Sequence, residues 1–84
     1  MSAVEPVPLS EVKLGQRARV VAVAGPDGLV QRLLEMGLLE GEEIEVIGFA
    51  PLGDPMEILL RDYRLSLRGR EAACVSVEVL SAEC

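Results

Sequence analysis

Apolar and polar positions along this chain follow two different periods, and the switch between them marks out the elements. Leu29, Val30, Leu33, Leu34 and Met36 recur at three- and four-residue steps while Gln31, Arg32 and Glu35 share the other side, which predicts one amphipathic helix with a buried face. Asp27 stands where an N-cap belongs, its side-chain oxygen free to accept from the first open amides, although no Glu or Gln at the third helical position completes a capping box. Gly37 can take the left-handed conformation after Met36, and Leu38 beyond it can fold back on Leu33, as a Schellman ending requires. Leu39-Glu40-Gly41-Glu42 then places a glycine where a type II turn needs positive φ.

On either side of this helix the period falls to two. Pro6 and Pro8 hold the first residues extended, Leu9-Ser10-Glu11-Val12 forms one capped turn, and Lys13-Leu14-Gly15-Gln16 reverses the chain. A strand begins at Arg17, where Arg17-Ala18-Arg19-Val20 alternates cleanly. Val20-Val21-Ala22-Val23-Ala24 is apolar throughout, which means burial on both faces or a bulge that switches the inward side; the pattern alone does not choose. After the helix, Glu43-Ile44-Glu45-Val46 alternates again with Ile44 and Val46 inward. The glycine-opened layout of Leu14 to Val20 recurs from Glu40 to Val46, the same turn chemistry used twice rather than a solenoid repeat.

Ala50-Pro51-Leu52-Gly53 fits a type I turn, and Asp54-Pro55 returns the chain to extended geometry. Two strands follow, Met56 to Arg61 and Arg64 to Arg68. A two-residue turn at Asp62-Tyr63 sets Leu60 opposite Leu65, Ile58 opposite Leu67, Glu57 opposite Arg68 and Arg61 opposite Arg64, and gathers the apolar side chains on one face. Gly69 to Cys74 reads as a short connection with one helical turn, after which Val75, Val77 and Val79 line one side of a last strand.

Five short strands and one helix in 84 residues predict a single, mainly β domain. Its expected form is a strongly bent sheet closed into a small five-stranded barrel, because closure removes edges that otherwise aggregate, with an open α+β sandwich as the alternative. Residues 1–8 read as an extended N-terminal segment, 9–80 as the domain and 81–84 as a C-terminal tail.

Composition narrows the function more than the fold. Half the residues are apolar, nearly all aliphatic, with one Phe, one Tyr and no Trp, so aromatic stacking surfaces are almost missing. Fourteen acidic against eight basic side chains give a net charge of −6, which repels a phosphate backbone and excludes nucleic acid as the expected partner. The apolar run Val20 to Ala24 is far short of the ~20 residues of a spanning helix, and the first ten residues carry no basic leader. A cytoplasmic protein without direct membrane insertion is expected. Cys74 and Cys84, ten residues apart, match neither a disulfide framework nor a zinc pattern; Cys74 reads as a small buried hydrophobe and Cys84 as exposed and incidental.

Catalysis finds no foothold in the pattern, since there is no His, and Ser10, Ser66, Ser76, Ser81 and Cys74 lack a neighbouring base. No enzyme activity and no intrinsic iron or other cofactor are expected. Glu40, Glu42, Glu43 and Glu45 could hold a divalent cation weakly, but alternate members point the same way merely because a strand has period two, and a solvated face is the better reading. The glycines form neither GxGxxG nor a Walker motif.

Arg32-Leu33-Leu34-Glu35-Met36-Gly37-Leu38, then Gly41 and Glu45-Val46, then Ala50-Pro51-Leu52-Gly53-Asp54-Pro55, then Tyr63-Arg64-Leu65-Ser66-Leu67-Arg68 and Glu71-Ala72 together resemble the FeoA family over Leu9 to Leu80. Two positions depart from that pattern: Glu40 stands where a proline is common, and Asp62 where a glycine is common. The resemblance implies an SH3-like barrel and a small cytosolic accessory protein of bacterial ferrous iron uptake, acting on the membrane transporter FeoB, whose cytosolic part is a GTPase. It also leaves a rival, a regulatory module related to the C-terminal domain of iron-dependent repressors. A proline-peptide reader fits less well, because such grooves are lined by aromatics and only Phe49 and Tyr63 are present.

The expected partner-binding residues come from surplus apolar surface. Met36, Leu38 and Leu39 crowd the helix end more densely than one Schellman contact requires, and Leu52 tips a loop stiffened by Pro51 and Pro55. Met36, Leu38 and Leu52, with Arg32 and Tyr63 at the rim, are therefore the expected patch; the competing view is that the leucines only close the barrel. Arg32 could act as an arginine finger or simply pair with Glu35. Weak homo-oligomerisation is left open.

Overall fold

Arg17 and Arg19 stay in water while Ala18 and Val20 are buried, so the alternation read from the sequence is that of a real strand. A computed structural model describes residues 5–81. Its elements are β1 (Val7–Pro8), a 3-10 turn (Leu9–Glu11), β2 (Arg17–Val23), α1 (Asp27–Glu35), β3 (Glu43–Phe49), β4 (Met56–Leu60), β5 (Tyr63–Leu67), α2 (Gly69–Ala72) and β6 (Val75–Ser81). The six strands form one antiparallel sheet in the order β1-β6-β2-β3-β4-β5.

The apolar run after Val20 is resolved as a bulge. Val20 pairs with Val77 but Ala22 pairs with Ser76, so Val21 is the extra residue; beyond it Val23 faces Val75 and the inward side has switched. Similar register shifts leave Leu80 unpaired against β2 and Ile47 unpaired against β4. Each bulge bends its strand and adds twist, which wraps the sheet around one aliphatic core that includes Leu9, Leu33, Ile58, Leu60, Leu67 and Val77. The molecule is mainly β with a bent sheet, as expected. It has a sixth strand because Val7–Pro8 pairs with β6, and among the described residues no ladder joins β5 to β1, so enclosure comes from bending rather than from hydrogen-bonded closure.

The ends of α1 differ in how they match expectation. Intrahelical bonding begins one residue early, with Val30 N–H donating to the Pro26 carbonyl at 2.9 Å, so Pro26 is the N-cap and Asp27 lies in the first turn without a capping hydrogen bond. Its carboxylate there still meets the positive end of the helix dipole. At the other end Gly37 has φ +103°, Leu38 N–H donates to the Leu33 carbonyl at 3.2 Å and Gly37 N–H to Leu34 at 3.0 Å, a Schellman ending with both Leu33 and Leu38 in the core. Glu42 N–H then closes on the Leu39 carbonyl at 3.0 Å with Gly41 at φ +93°, as a type II turn demands.

The β4–β5 hairpin corrects the expected register. Its turn is Arg61-Asp62, so Leu60 pairs with Tyr63, Ile58 with Leu65, Met56 with Leu67 and Glu57 with Ser66. The displacement is two residues, which preserves every inward and outward assignment. Arg61 holds the positive φ of the turn, +56°, and its guanidinium donates to both carboxylate oxygens of Glu42, Nε to Oε1 at 3.0 Å. A long-range ion pair supports a left-handed residue that local composition does not mark.

Gly53 N–H donates to the Ala50 carbonyl at 2.7 Å, closing the expected turn, and the Asp54–Pro55 peptide is cis. Asp54 Oδ1 accepts from Gly69 N–H at 2.9 Å, which ties this loop to the start of α2, where Glu71 Oε1 accepts from Arg68 N–H at 2.8 Å. Cys74 is half-buried, its thiol 3.4 Å from the Arg70 carbonyl and packed so closely on Gly25 that a Cβ there would lie 2.8 Å from Sγ. Cys84 lies outside the described residues.

Candidate functional site

A Schellman ending packs the second residue after the C-cap back on the helix, and here, with Met36 as the C-cap, that residue is Leu38. The next one has nowhere to go: Leu39 opens the type II turn and stands 48% exposed. Tyr63, the first residue of β5, is 64% exposed and lies across from it. Between them runs a groove of about 210 Å³ lined by Met36, Gly37, Leu39, Leu60 and Tyr63, with the Glu42–Arg61 pair along one rim. Gly37 keeps its floor open and tight, since a Cβ there would lie 3.1 Å from Leu60 Cδ2. The volume is below the roughly 300–1,000 Å³ of small-molecule sites and suits an inserted side chain.

The hydrogen bond from Arg61 lowers the Glu42 carboxyl below its ordinary range, with slight desolvation opposing and the guanidinium charge assisting. The same pairing raises Arg61. The rim is therefore a neutralised pair through the physiological range. Apolar walls with such a rim supply contact area.

The sequence-derived patch is only partly assembled. Met36 and Tyr63 share the groove. Leu38 does not belong to it, being fully buried against Leu33; the exposed leucine is its neighbour Leu39, which the capping geometry itself identifies. Leu52 is 97% exposed at the tip of the β3–β4 loop, but that loop adjoins Met56 whereas the groove adjoins Leu60, four strand steps or about 14 Å further along β4. Arg32 pairs with Glu71 of α2 at 3.7 Å, not with Glu35, which accepts instead from Gln31 at 3.3 Å. Glu71 is only 5% exposed, so Arg32 bridges the two helices beside a separate cavity lined by Pro26, Leu29 and Arg70.

Of the four glutamates in the acidic run after the helix, two are engaged. Glu42 binds Arg61, and Glu43 lies 2.9 Å from Arg17 and 3.8 Å from Arg19. Among the described residues no three His, Cys, Asp or Glu side chains gather as a metal site, and no helix is long and apolar enough to cross a membrane.

Comparison with known proteins places this geometry. The FeoA domain model matches residues 7–79. A fusion of Fe(2+) transport protein A with the Fe(2+) transporter FeoB from Porphyromonas gingivalis is 42% identical over 74 residues, 88% of this chain, which spans 9% of that protein's length. The FeoA-like protein of Clostridium acetobutylicum superposes with a TM-score of 0.88 at 34% identity, covering 100% of this chain and 95% of that one. The zinc-complexed FeoA of Stenotrophomonas maltophilia, described as a prokaryotic SH3 domain protein, gives a TM-score of 0.73 at 34% identity over 83% of this chain and 87% of its own. The T. acidophilum IdeR protein shares the fold alone, with a TM-score of 0.80 at 18% identity over 95% of this chain and 37% of its own. With a domain match over nearly its whole length and an SH3-like fold common to its structural relatives, the chain belongs to the FeoA family.

Proposed function

We propose that this chain is a cytoplasmic accessory protein of ferrous iron uptake, that it works by contact with the cytosolic GTPase domain of a FeoB-type transporter, and that it catalyses no reaction itself. The observation that carries this reading is the P. gingivalis fusion, in which a domain 42% identical to this chain is joined to a FeoB transporter in one polypeptide. Covalent joining raises the effective concentration of two partners and is useful where they act in contact. The groove at Met36, Leu39 and Tyr63 is the surface best formed for such a contact, because its apolar groups are already held by the helix cap and the hairpin. Arg32, held by Glu71, contributes to helix pairing rather than to GTP hydrolysis.

Calorimetric titration of the chain with the cytosolic domain of a FeoB-type transporter from the same genome tests this. Binding is expected, with Leu39→Glu weakening it at least tenfold at unchanged thermal stability and Leu52→Glu leaving it intact. No binding by the unaltered chain would overturn the reading; binding unaffected by Leu39→Glu would remove the groove from it.

A further inference from the structure

The sheet ends at one side on β5, which pairs with β4 alone among the described residues. Every second residue of such an edge sends its N–H and C=O away from the sheet, so β5 offers an open ladder. Its side chains fall in two rows. Leu67 lies in the core, Leu65 is half-buried and Tyr63 borders the groove, whereas Arg64, Ser66 and the following Arg68 are exposed on the other face.

Among the arginines, those at this edge differ from the rest. Arg17, Arg19, Arg32 and Arg61 are all matched to carboxylates of the chain. Arg64, Arg68 and Arg70 make no ion pair among the described residues, although the net charge is −6. Acidic groups stand nearby: Asp54 shares a cavity with Arg68 and Arg70 and accepts from Gly69 N–H, Glu57 lies across the ladder from Ser66, Glu71 accepts from Arg68 N–H, and Asp62 is two residues before Arg64. Arg64 and Arg68 thus line the open edge with Arg70 beside Arg68, and none of the three is within salt-bridge distance of a carboxylate among the described residues.

We infer that the edge of β5 receives an extended strand from a partner protein whose side chains alternate acidic and apolar. Carboxylates then lie over Arg64 and Arg68, apolar side chains lie beside Tyr63 and Leu65, and the backbone ladder supplies affinity while the alternation sets register. A second copy of this chain is the competing occupant: antiparallel self-pairing about Ser66 and parallel in-register pairing both set arginine against arginine, but antiparallel pairing about Leu65 sets Arg64 against Ser66 and Asp62 against Arg68, so a concentration-dependent dimer with β5 amides protected in the absence of peptide would overturn the inference. The inference adds a binding mode to the transporter reading and rests on that reading only for the identity of the partner.

The probe is a capped heptapeptide alternating glutamate and valine, titrated into the full chain by NMR. Saturable binding with slowed amide exchange confined to β5 is expected. It should weaken at least tenfold with Arg64→Glu/Arg68→Glu, or with Arg64→Gln/Arg68→Gln should the reversal disturb folding. A lysine-valine peptide, and a peptide of the same composition with its glutamates and valines in separate blocks, should not bind. Absence of binding, equal binding of the block peptide, or protection outside β5 would overturn the inference and show that the arginines only blunt the edge. Transporter binding that survives the arginine substitutions would refute the strand mode and leave the transporter reading standing; a peptide that docks on β5 while the transporter domain does not bind would do the reverse.

Discussion

Leu67 is completely buried at the ladder position opposite Met56, in a core without a single aromatic ring to swing into a void. Leu67→Ala removes most of its side chain from close-packed surroundings and should cost about 2–5 kcal/mol in urea denaturation, as large-to-small core changes do. A loss well under about 1 kcal/mol would mean that the site collapses around the vacancy or that β5 does not pack as described. Leu38 and Leu39 show burial set by position. The two are chemically identical and adjacent, yet one is buried and the other is 48% exposed, because the Schellman geometry assigns burial by position rather than by hydrophobicity.

At the scale of elements, the end of α1 depends on one glycine for two separate reasons. Gly37 holds φ +103°, and a Cβ on it would meet Leu60 Cδ2 at 3.1 Å. Gly15 has a comparable φ of +86° but open space around it. Gly37→Ala should therefore destabilise by more than about 1 kcal/mol in thermal or urea melts, and by more than Gly15→Ala, which meets only the backbone penalty. Equal losses would show that Leu60 yields freely. The hairpin teaches a related lesson: inward and outward faces were legible from alternation, but a two-residue slip keeps them unchanged, so alternation could not locate the turn.

Over the whole molecule, the Glu42–Arg61 pair fastens the turn after α1 to the β4–β5 hairpin and so holds the groove's rim. Glu42 is lowered below its ordinary value of 4.5, so its contribution to the fold is present above pH 4.5 and is lost as pH falls through the lower folded value. The raised Arg61 stays charged throughout that window. A carboxyl NMR titration should give Glu42 a midpoint below 4.5, with amide exchange at Arg61 and Asp62 accelerating over the same range, and Glu42→Gln should abolish the pH dependence. An ordinary midpoint would mean that the pair is not held in solution. Because the Arg61 side chain is 67% exposed and the Glu42 side chain keeps partial access to water, the stabilisation is small, and the pair serves to set hairpin geometry.

What the residues determined unaided was whatever local chemistry decides: the helix and its glycine stop, the turns at Gly41 and Gly53, the inward faces of the strands, the aliphatic core and the family resemblance carried by ordered motifs. The start of α1 was displaced by one residue because Pro26 and Asp27 are both acceptable at a helix opening. Tertiary structure alone decided the rest. The bulge at Val21 emerges only when β6 is laid beside β2, the turn at Arg61 only when Glu42 comes within reach, and Arg32 chooses Glu71 over Glu35 only when the fold brings Glu71 of α2 within reach of α1. The candidate site follows the same division. Met36 was legible as surplus apolar surface and Tyr63 as a rim residue, but their meeting in one groove and the separation of Leu52 from both depend on which end of β4 each loop adjoins, a distance that no local pattern encodes.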